Sequence, residues 1–315
     1  MNKKYKLKRK YKILFGIIIL LIVGVILFFY IDYRLSNEYK FKELGYNEED
    51  VTFLLTFDED FQNKLLELGH DEEVLEIIKE KYFIEDNLDR YIAYKKKRRV
   101  DEIPISEVVA LVNVNRDRDY YEKPIKTDVS KGNLILVNKY HYLDESFVPK
   151  GVEKASSWYA YDGILAAGES YRAFIKMFNA AKEDDINLIL NSGYRSYADQ
   201  KAVYEDFDRN YGEEYADNYA ARPGYSEHQT GLAYDIVSPG ASGDDFDKTD
   251  AFKWLDKNAH KYGFILRYPK DKEEYTGFKY ESWHYRYVGE DTARIVKKEG
   301  ITYDEYYAYY IENKK

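Results

Sequence analysis

Apolar positions are spread very unevenly along this chain. Ile13 to Ile31 is a run without a single charged residue. At 1.5 Å of rise per residue a helix of that length spans roughly 28 Å, about the hydrocarbon thickness of a bilayer. Lys3, Lys4, Lys6, Lys8, Arg9, Lys10 and Lys12 stand just before it. Basic flanks stay on the cytoplasmic side. A cleaved signal peptide would have a shorter apolar stretch ending in small residues, whereas this run ends Phe28-Phe-Tyr-Ile-Asp-Tyr-Arg34. The pattern predicts a cytoplasmic basic tail over 1–12 and a single transmembrane anchor over 13–31. The rest of the chain would then lie outside the cell membrane.

Residues 32–105 have another texture: charged, helix-prone and poor in glycine. Glu43-Leu-Gly-Tyr-Asn-Glu-Glu49 recurs as Glu67-Leu-Gly-His-Asp-Glu-Glu73. In each copy Gly is placed to end one helix and Asn or Asp to cap the next. Two copies do not make a solenoid, so the region reads as a small helical stalk. A wall-binding role is the rival reading. Lys95-Lys-Lys-Arg-Arg99 reads as a solvated face or linker.

From about residue 106 to 315 the pattern becomes mixed. Apolar residues recur at helical spacing over Gly163–Lys182. Short apolar runs bounded by turn residues predict strands at 186–190, 232–237, 264–267 and 284–288. Helices are expected at 197–210, 252–262 and 291–298. Strands and helices interleave without regular βαβ spacing, which predicts an α+β domain with a mostly antiparallel sheet.

Composition narrows the chemistry. The net charge of -9 disfavours a nucleic-acid partner. There is no cysteine, which removes disulfides, thiolate metal sites and a cysteine nucleophile. Any catalytic metal must be held by histidine and carboxylate. The 35 tyrosines have no evident catalytic use and read as packing and surface groups.

Three segments concentrate what remains: Ser192-Gly-Tyr-Arg-Ser-Tyr-Ala-Asp-Gln200, Ser226-Glu-His-Gln-Thr-Gly-Leu-Ala-Tyr-Asp235 and Glu281-Ser-Trp-His284. Two His and one Asp suit a hydrolytic zinc ion with one open position, and a spare Glu suits its base. His228 and Asp235 would face opposite sides of an unbroken strand, but Thr230-Gly231 can break it and let them converge. Alone, His228 would read as a capping histidine. Asp235, inside an apolar strand, needs a cation or several donors, and an Arg would serve as well as a metal. Glu281 is expected to precede the strand that carries His284. Arg195 follows a strand on a loop, where its guanidinium can hold a carboxylate or steady an oxyanion; a structural ion pair is the alternative. Trp283 reads as core packing. His70, His141 and His260 read as structural.

Together the three segments resemble the D-alanyl-D-alanine carboxypeptidase family related to VanY, a group of zinc metallopeptidases. The shared patterns are Ser-x-x-Arg-Ser at Ser192–Ser196, Ser-x-His-x-x-Gly-x-Ala-x-Asp at Ser226–Asp235, and Glu-x-Trp-His at Glu281–His284. Leu134–Tyr140 and Arg222–His228 also look like this family, and the resemblance is strongest over about 130–290. Ser282 departs from the family, many members having Pro there. That alters a backbone constraint and no reacting group.

The resemblance implies a compact α+β domain of the zinc DD-peptidase, hedgehog-like type. It implies one Zn2+ held by His228, Asp235 and His284. Glu281 would be the general base, and Arg195 would bind substrate and stabilise the oxyanion. Ser226 and Gln200 would contact the peptide. The substrate would be the peptidoglycan stem peptide, trimmed at its C-terminal D-alanine, in keeping with an external, tethered enzyme of a Gram-positive cell. Four alternatives stand beside it: an L,D-carboxypeptidase, an endopeptidase acting on cross-links, an inactive wall-binding module, and a structural membrane protein whose stalk is the working part.

Overall fold

The computed structural model describes residues 9–98, 103–241 and 243–313. Lys3, Lys4, Lys6 and Lys8 of the basic tail, and Arg99 of the basic run, lie outside the described residues. The chain divides into two compact units, Met1–Lys79 and Glu80–Lys315.

The first unit is helical. Helix α1 (Arg9–Leu35) contains an 18-residue window of mean hydropathy 3.2 within Lys10–Leu35, long and apolar enough to cross a membrane or to serve as a signal sequence. Four short helices come after it: α2 (Asn37–Leu44), α3 (Glu48–Leu54), α4 (Glu59–Leu68) and α5 (Glu72–Lys79). The repeat explains their limits. Gly45 ends α2 at φ +101° and Gly69 ends α4 at φ +78°, conformations that cost a side chain dearly. Asn47 accepts the Asp50 amide at the start of α3, and Asp71 accepts the Val74 amide at the start of α5. Phe41, Val51, Leu54, Leu65, Leu75 and Ile77 form buried apolar positions of this unit. His70 packs its ring 4.4 Å from that of Tyr46 and so serves structure.

The second unit opens with α6 (Leu88–Arg98) and α7 (Ile105–Asn113). Residues 80–105, read from sequence with the stalk, group here. Tyr91 donates to Asn113 at 2.5 Å, and Arg90 reaches Asp117 at 2.5 and 2.9 Å. These long-range bonds tie α6 to the end of α7 and the turn beyond it. Two small pairs come next: β1 (Ile125–Lys126) parallel to β2 (His141–Tyr142), and β3 (Val152–Lys154) antiparallel to β4 (Leu165–Ala167). Then come α8 (Gly168–Glu183), β5 (Ile189–Ser192), α9 (Tyr197–Tyr211), α10 (Glu213–Tyr219), β6 (Ala233–Val237), α11 (Asp250–Asn258), β7 (Phe264–Leu266), α12 (Glu273–Thr276), β8 (His284–Tyr287), α13 (Glu290–Glu299) and α14 (Tyr303–Tyr307).

Strands β5–β8 form one sheet in the order β5-β6-β8-β7, antiparallel at every pairing. Its two faces follow from the period of two along a strand. Tyr234 and Ile236 of β6, Tyr285 and Tyr287 of β8 and Phe264 of β7 join Phe174, Met177 and Phe178 of α8 in the larger core. Ile265 of β7 packs instead into a second cluster with Val288, Val296 and Tyr303. Between those two apolar clusters the remaining positions of β6 and β8 carry Asp235, His284 and Arg286, all buried. The sheet thus buries polar groups on one side because both of its faces are covered.

Candidate active site

Register brings the site together. Asp235 pairs directly with His284 across β6 and β8, and Ser192 pairs with Asp235 across β5 and β6. Directly opposed residues project to the same face. His228 reaches them from a 3-10 turn over Glu227–Thr230, which Gly231 closes at φ +69°. A side chain at Gly231 would put its Cβ 2.6 Å from that of Ala167, so only glycine lets the chain turn there. This is the break that convergence of His228 and Asp235 required. Glu281 stands ahead of β8, its amide held by the Tyr268 carbonyl at 3.1 Å.

His228, Asp235 and His284 form a buried group whose ligand atoms all lie within 4.8 Å of one another. His228 Nε2 is 3.4 Å from Asp235 Oδ2, and His284 Nδ1 is 3.2 Å from Asp235 Oδ1. Donors about 2.0–2.2 Å from a tetrahedral ion stand roughly 3.3 Å apart, so these separations suit one small ion among the three. Asp235 Oδ1 and His284 Nε2 are buried without a hydrogen-bond partner. Asp235 faces two imidazoles, and no arginine pairs with it among the described residues. The residues fit a metal, and the fit rests on their donor set and on the unpartnered Asp235 Oδ1.

The surrounding groups set ring orientation. His228 Nδ1 is 2.7 Å from the Gly193 carbonyl. That contact makes Nδ1 the N–H side and leaves Nε2 free toward Asp235. Gly193 is itself confined: an added Cβ would lie 2.3 Å from the Leu165 carbonyl oxygen. His284 Nε2 lies 3.6 Å from Glu227 Oε2. Glu227 Oε1 accepts from Arg267 Nε at 2.8 Å and Arg286 Nη1 at 2.7 Å. Arg267 continues to Asp304 at 2.6 Å, and Asn138 donates to the same carboxylate at 2.8 Å. Sequence reasoning missed Glu227, Arg267, Arg286 and Asp304. A signal existed for Arg286: it alternates with buried tyrosines in Tyr285-Arg-Tyr287, on the face of His284.

Charge states depend on the surroundings. Burial pushes Glu281 up to about 7, and the neighbouring Asp235 and Glu227 carboxylates add to the shift. Its Oε2 is 3.4 Å from His284 Nδ1, and its side chain keeps 19% of its surface exposed to the cavity. Burial alone would lower His284, but the carboxylates of Asp235, Glu227 and Glu281 outweigh it and raise the ring to about 9. His228 is shifted down, chiefly by burial. Burial would raise Glu227, yet Arg267 and Arg286 hold it well below the ordinary carboxylate range.

Arg195 is held by neutral groups. Its Nη2 donates to Ser192 Oγ at 3.1 Å and its Nη1 to Gln200 Oε1 at 3.0 Å, while its amide donates to the His228 carbonyl at 3.2 Å. Gln200 is buried and also donates to the Ala221 carbonyl at 2.7 Å. Arg195, Gln200, Ser226, His228, Asp235, Glu281 and His284 line one cavity of about 210 Å³. Trp283 lines it too while packing on the larger core, so it does both things. His141, set against Asn138 at 3.1 Å, and His260, in a 3-10 turn, do not line that cavity.

A buried His–Asp–His set with a carboxylate of raised pKa beside it is the donor arrangement of a mononuclear hydrolytic metal centre. The profile of the VanY family, D-alanyl-D-alanine carboxypeptidase, matches residues 165–290. Over 184 residues the chain is 39% identical to the putative carboxypeptidase YodJ of Bacillus subtilis (strain 168), covering 55% of this chain and 66% of that one. It is 37% identical over 214 residues to a D-alanyl-D-alanine carboxypeptidase of Enterococcus faecium, covering 65% and 67%. The solved structure of the LdcB LD-carboxypeptidase aligns with a TM-score of 0.56 at 36% identity, over 60% of this chain and 91% of that chain. The chain belongs to the VanY family of peptidases. Its matches span about two thirds of the length of these two curated relatives.

Proposed function

We propose that this protein is a zinc-dependent D,D-carboxypeptidase that removes the C-terminal D-alanine from peptidoglycan stem peptides. The observation that carries the reading is the His228–Asp235–His284 group, with Asp235 Oδ1 buried and unpartnered, beside Glu281 in one cavity. Those three side chains would hold the ion. Bound there, zinc would supply a Lewis acid that brings the pKa of a water toward about 7 and polarises the scissile carbonyl.

The chain's own groups account for the rest. With a pKa near 7, Glu281 can take the proton of the attacking water and return it to the leaving amine. Arg195 is aimed by Ser192 and Gln200, and its donors can hold the substrate carboxylate or the developing oxyanion. Both ends of the Gln200 amide are engaged, so we assign it to positioning Arg195 and the Ala221 wall. Ser226 lies on the cavity wall, where its hydroxyl can meet the peptide. Trp283, Tyr268 and Phe278 exclude water from the space around the ion. The apolar helix α1, with Lys10 and Lys12 at its head, would anchor the enzyme with its second unit outside the cell. Of the expected 32–105 stalk, we assign residues 32–79 to a spacer between anchor and enzyme.

The name of the Enterococcus faecium relative, a D-alanyl-D-alanine carboxypeptidase, favours the D,D activity; that of the LdcB structure, an LD-carboxypeptidase, speaks for an L,D activity. Mass analysis of products from a free stem pentapeptide and a free tetrapeptide separates them. D-Alanine from the pentapeptide is expected. Release from the tetrapeptide alone would replace the D,D reading with the L,D one, and cleavage of cross-linked dimers alone would make it an endopeptidase.

A further inference from the structure

Helices α9 and α10 carry an aromatic ridge that the peptidase chemistry does not use. Phe207 and Tyr211 stand one helical turn apart on α9, as do Tyr215 and Tyr219 on α10. The rings run in contact: Tyr211 to Tyr215 is 4.7 Å between centroids, Tyr215 to Tyr219 is 4.4 Å, and Phe207 lies 6.2 and 6.3 Å from Tyr211 and Tyr215. Tyr211 is 65% exposed, Tyr215 40% and Tyr219 47%. A contiguous exposed aromatic patch of this kind marks a contact surface.

The ridge leads into the site. Phe207 and Tyr219 line the same cavity as His228, Asp235 and His284, and Tyr215 and Tyr211 continue outward from it. Its base is fixed without using the rings. Arg222 binds Asp217 at 2.7 and 2.9 Å and Glu213 at 2.7 Å, Tyr204 donates to Asp217 at 2.8 Å, and buried Lys139 donates to the Asp217 carbonyl at 2.7 Å. Ala216, between the exposed tyrosines, is buried. The platform is thus rigid before anything binds, which lowers the cost of binding.

Charge narrows the occupant. Residues 197–219 hold seven acidic and two basic side chains, so an anionic polymer or an anionic membrane is repelled. Uncharged sugar rings are not, and their apolar C–H faces match tyrosine rings, while the hydroxyls around them can bond to the phenol groups. We propose that the ridge Phe207–Tyr211–Tyr215–Tyr219 is a docking platform for the neutral amino-sugar strand to which the stem peptide is attached. This rests on the stem-peptide reading of the cavity. A five-residue stem spans at most about 17 Å, so its sugar must lie near the cavity mouth, where this ridge begins.

The test uses the full chain and the double variant Tyr211→Ser/Tyr215→Ser, both sites exposed and outside the cavity. Rates of D-alanine release are compared on a free pentapeptide and on the same pentapeptide carried by a disaccharide repeat. The ratio of kcat/KM, glycan-linked over free, should fall about tenfold, each stacked ring being worth a few-fold. Tyr215→Phe should keep the ratio. An unchanged ratio in the double variant overturns the proposal. Calorimetric binding of tetra-N-acetylchitotetraose decides the ridge separately from hydrolysis. Binding by the wild type that the double variant weakens supports the platform, and no binding by the wild type overturns it. If the wild type binds the oligosaccharide but releases nothing from either peptide, the peptidase reading fails and the platform stands.

Discussion

Two buried polar clusters lie back to back in this protein, and they differ in one respect. The cluster of Glu227, Arg267, Arg286 and Asp304 contains two cations and two anions, and nearly every donor and acceptor is used. Arg286 alone reaches Glu227 and the carbonyls of Asn133, Ile135 and Tyr287. The cluster of His228, Asp235 and His284 has no arginine or lysine paired with it among the described residues, its only positive charge being the proton His284 keeps, and it leaves Asp235 Oδ1 without a hydrogen bond. Both are buried, and the second also lines the cavity. A paired set of buried charges holds a fold, whereas an under-paired set costs free energy until something fills it. The contrast separates scaffold from site without reference to any relative. Glu227 belongs to both: Oε1 faces the arginines, and the unpartnered Oε2 faces His284.

The sharpest way to break this division is Glu281→Gln. Glu281 lies beside the under-paired cluster and outside the donor set, so the variant should keep its metal and lose turnover by about 10²–10⁴-fold. Steady-state release of D-alanine, with metal content measured on the same sample, checks it. Near-normal turnover would remove Glu281 from the chemistry.

A smaller effect probes the shared residue. Glu227→Gln removes the charge between two buried arginines and the partner of His284 in one step. Zinc affinity should fall about 10–100-fold, as for other outer carboxylates that orient a ligating histidine. Unfolding free energy should fall by about 3 kcal/mol, at the low end for breaking a buried ion pair. Denaturant titration and competitive zinc titration read the two losses independently. Loss of stability with unchanged zinc affinity would confine Glu227 to the scaffold.

The two clusters were also unequally legible in the sequence. His228, Asp235, His284, Glu281 and Arg195 stand at fixed short spacings, and the residues between them, Gly231 above all, have backbone reasons to be there. Convergence of His228 and Asp235 demands a break at Thr230-Gly231 on strand geometry alone, and the 3-10 turn supplies it. Glu227 sits inside the same segment without suggesting a role, because a glutamate next to a histidine reads as a solvated surface group. Its partners lie 40 and 59 residues away, a distance local pattern does not bridge. Strand positions are legible for the same reason that the core is: Tyr234 and Ile236, and Tyr285 and Tyr287, alternate with polar residues at a period of two. Arg90 and Tyr91 lie in the charged, helix-prone stretch read as stalk, yet bind Asp117 and Asn113 of the second unit, partners more than twenty residues away that local pattern does not reveal. The tyrosine ridge is invisible as a unit in the sequence because it crosses the Gly212 break between α9 and α10.

The central claim is that the under-paired cluster is a zinc site, and zinc titration of the metal-free chain at two pH values tests it most directly. His284 holds its proton up to about 9 in the metal-free protein, so below that pH an ion must displace the proton to bind. Affinity should therefore weaken by about tenfold for each pH unit lowered below 9. The account predicts saturation at one zinc per chain, tighter at pH 8.5 than at pH 6.5, and abolished in Asp235→Ala. No saturable zinc, or a zinc site whose affinity ignores both the pH and Asp235, would contradict it.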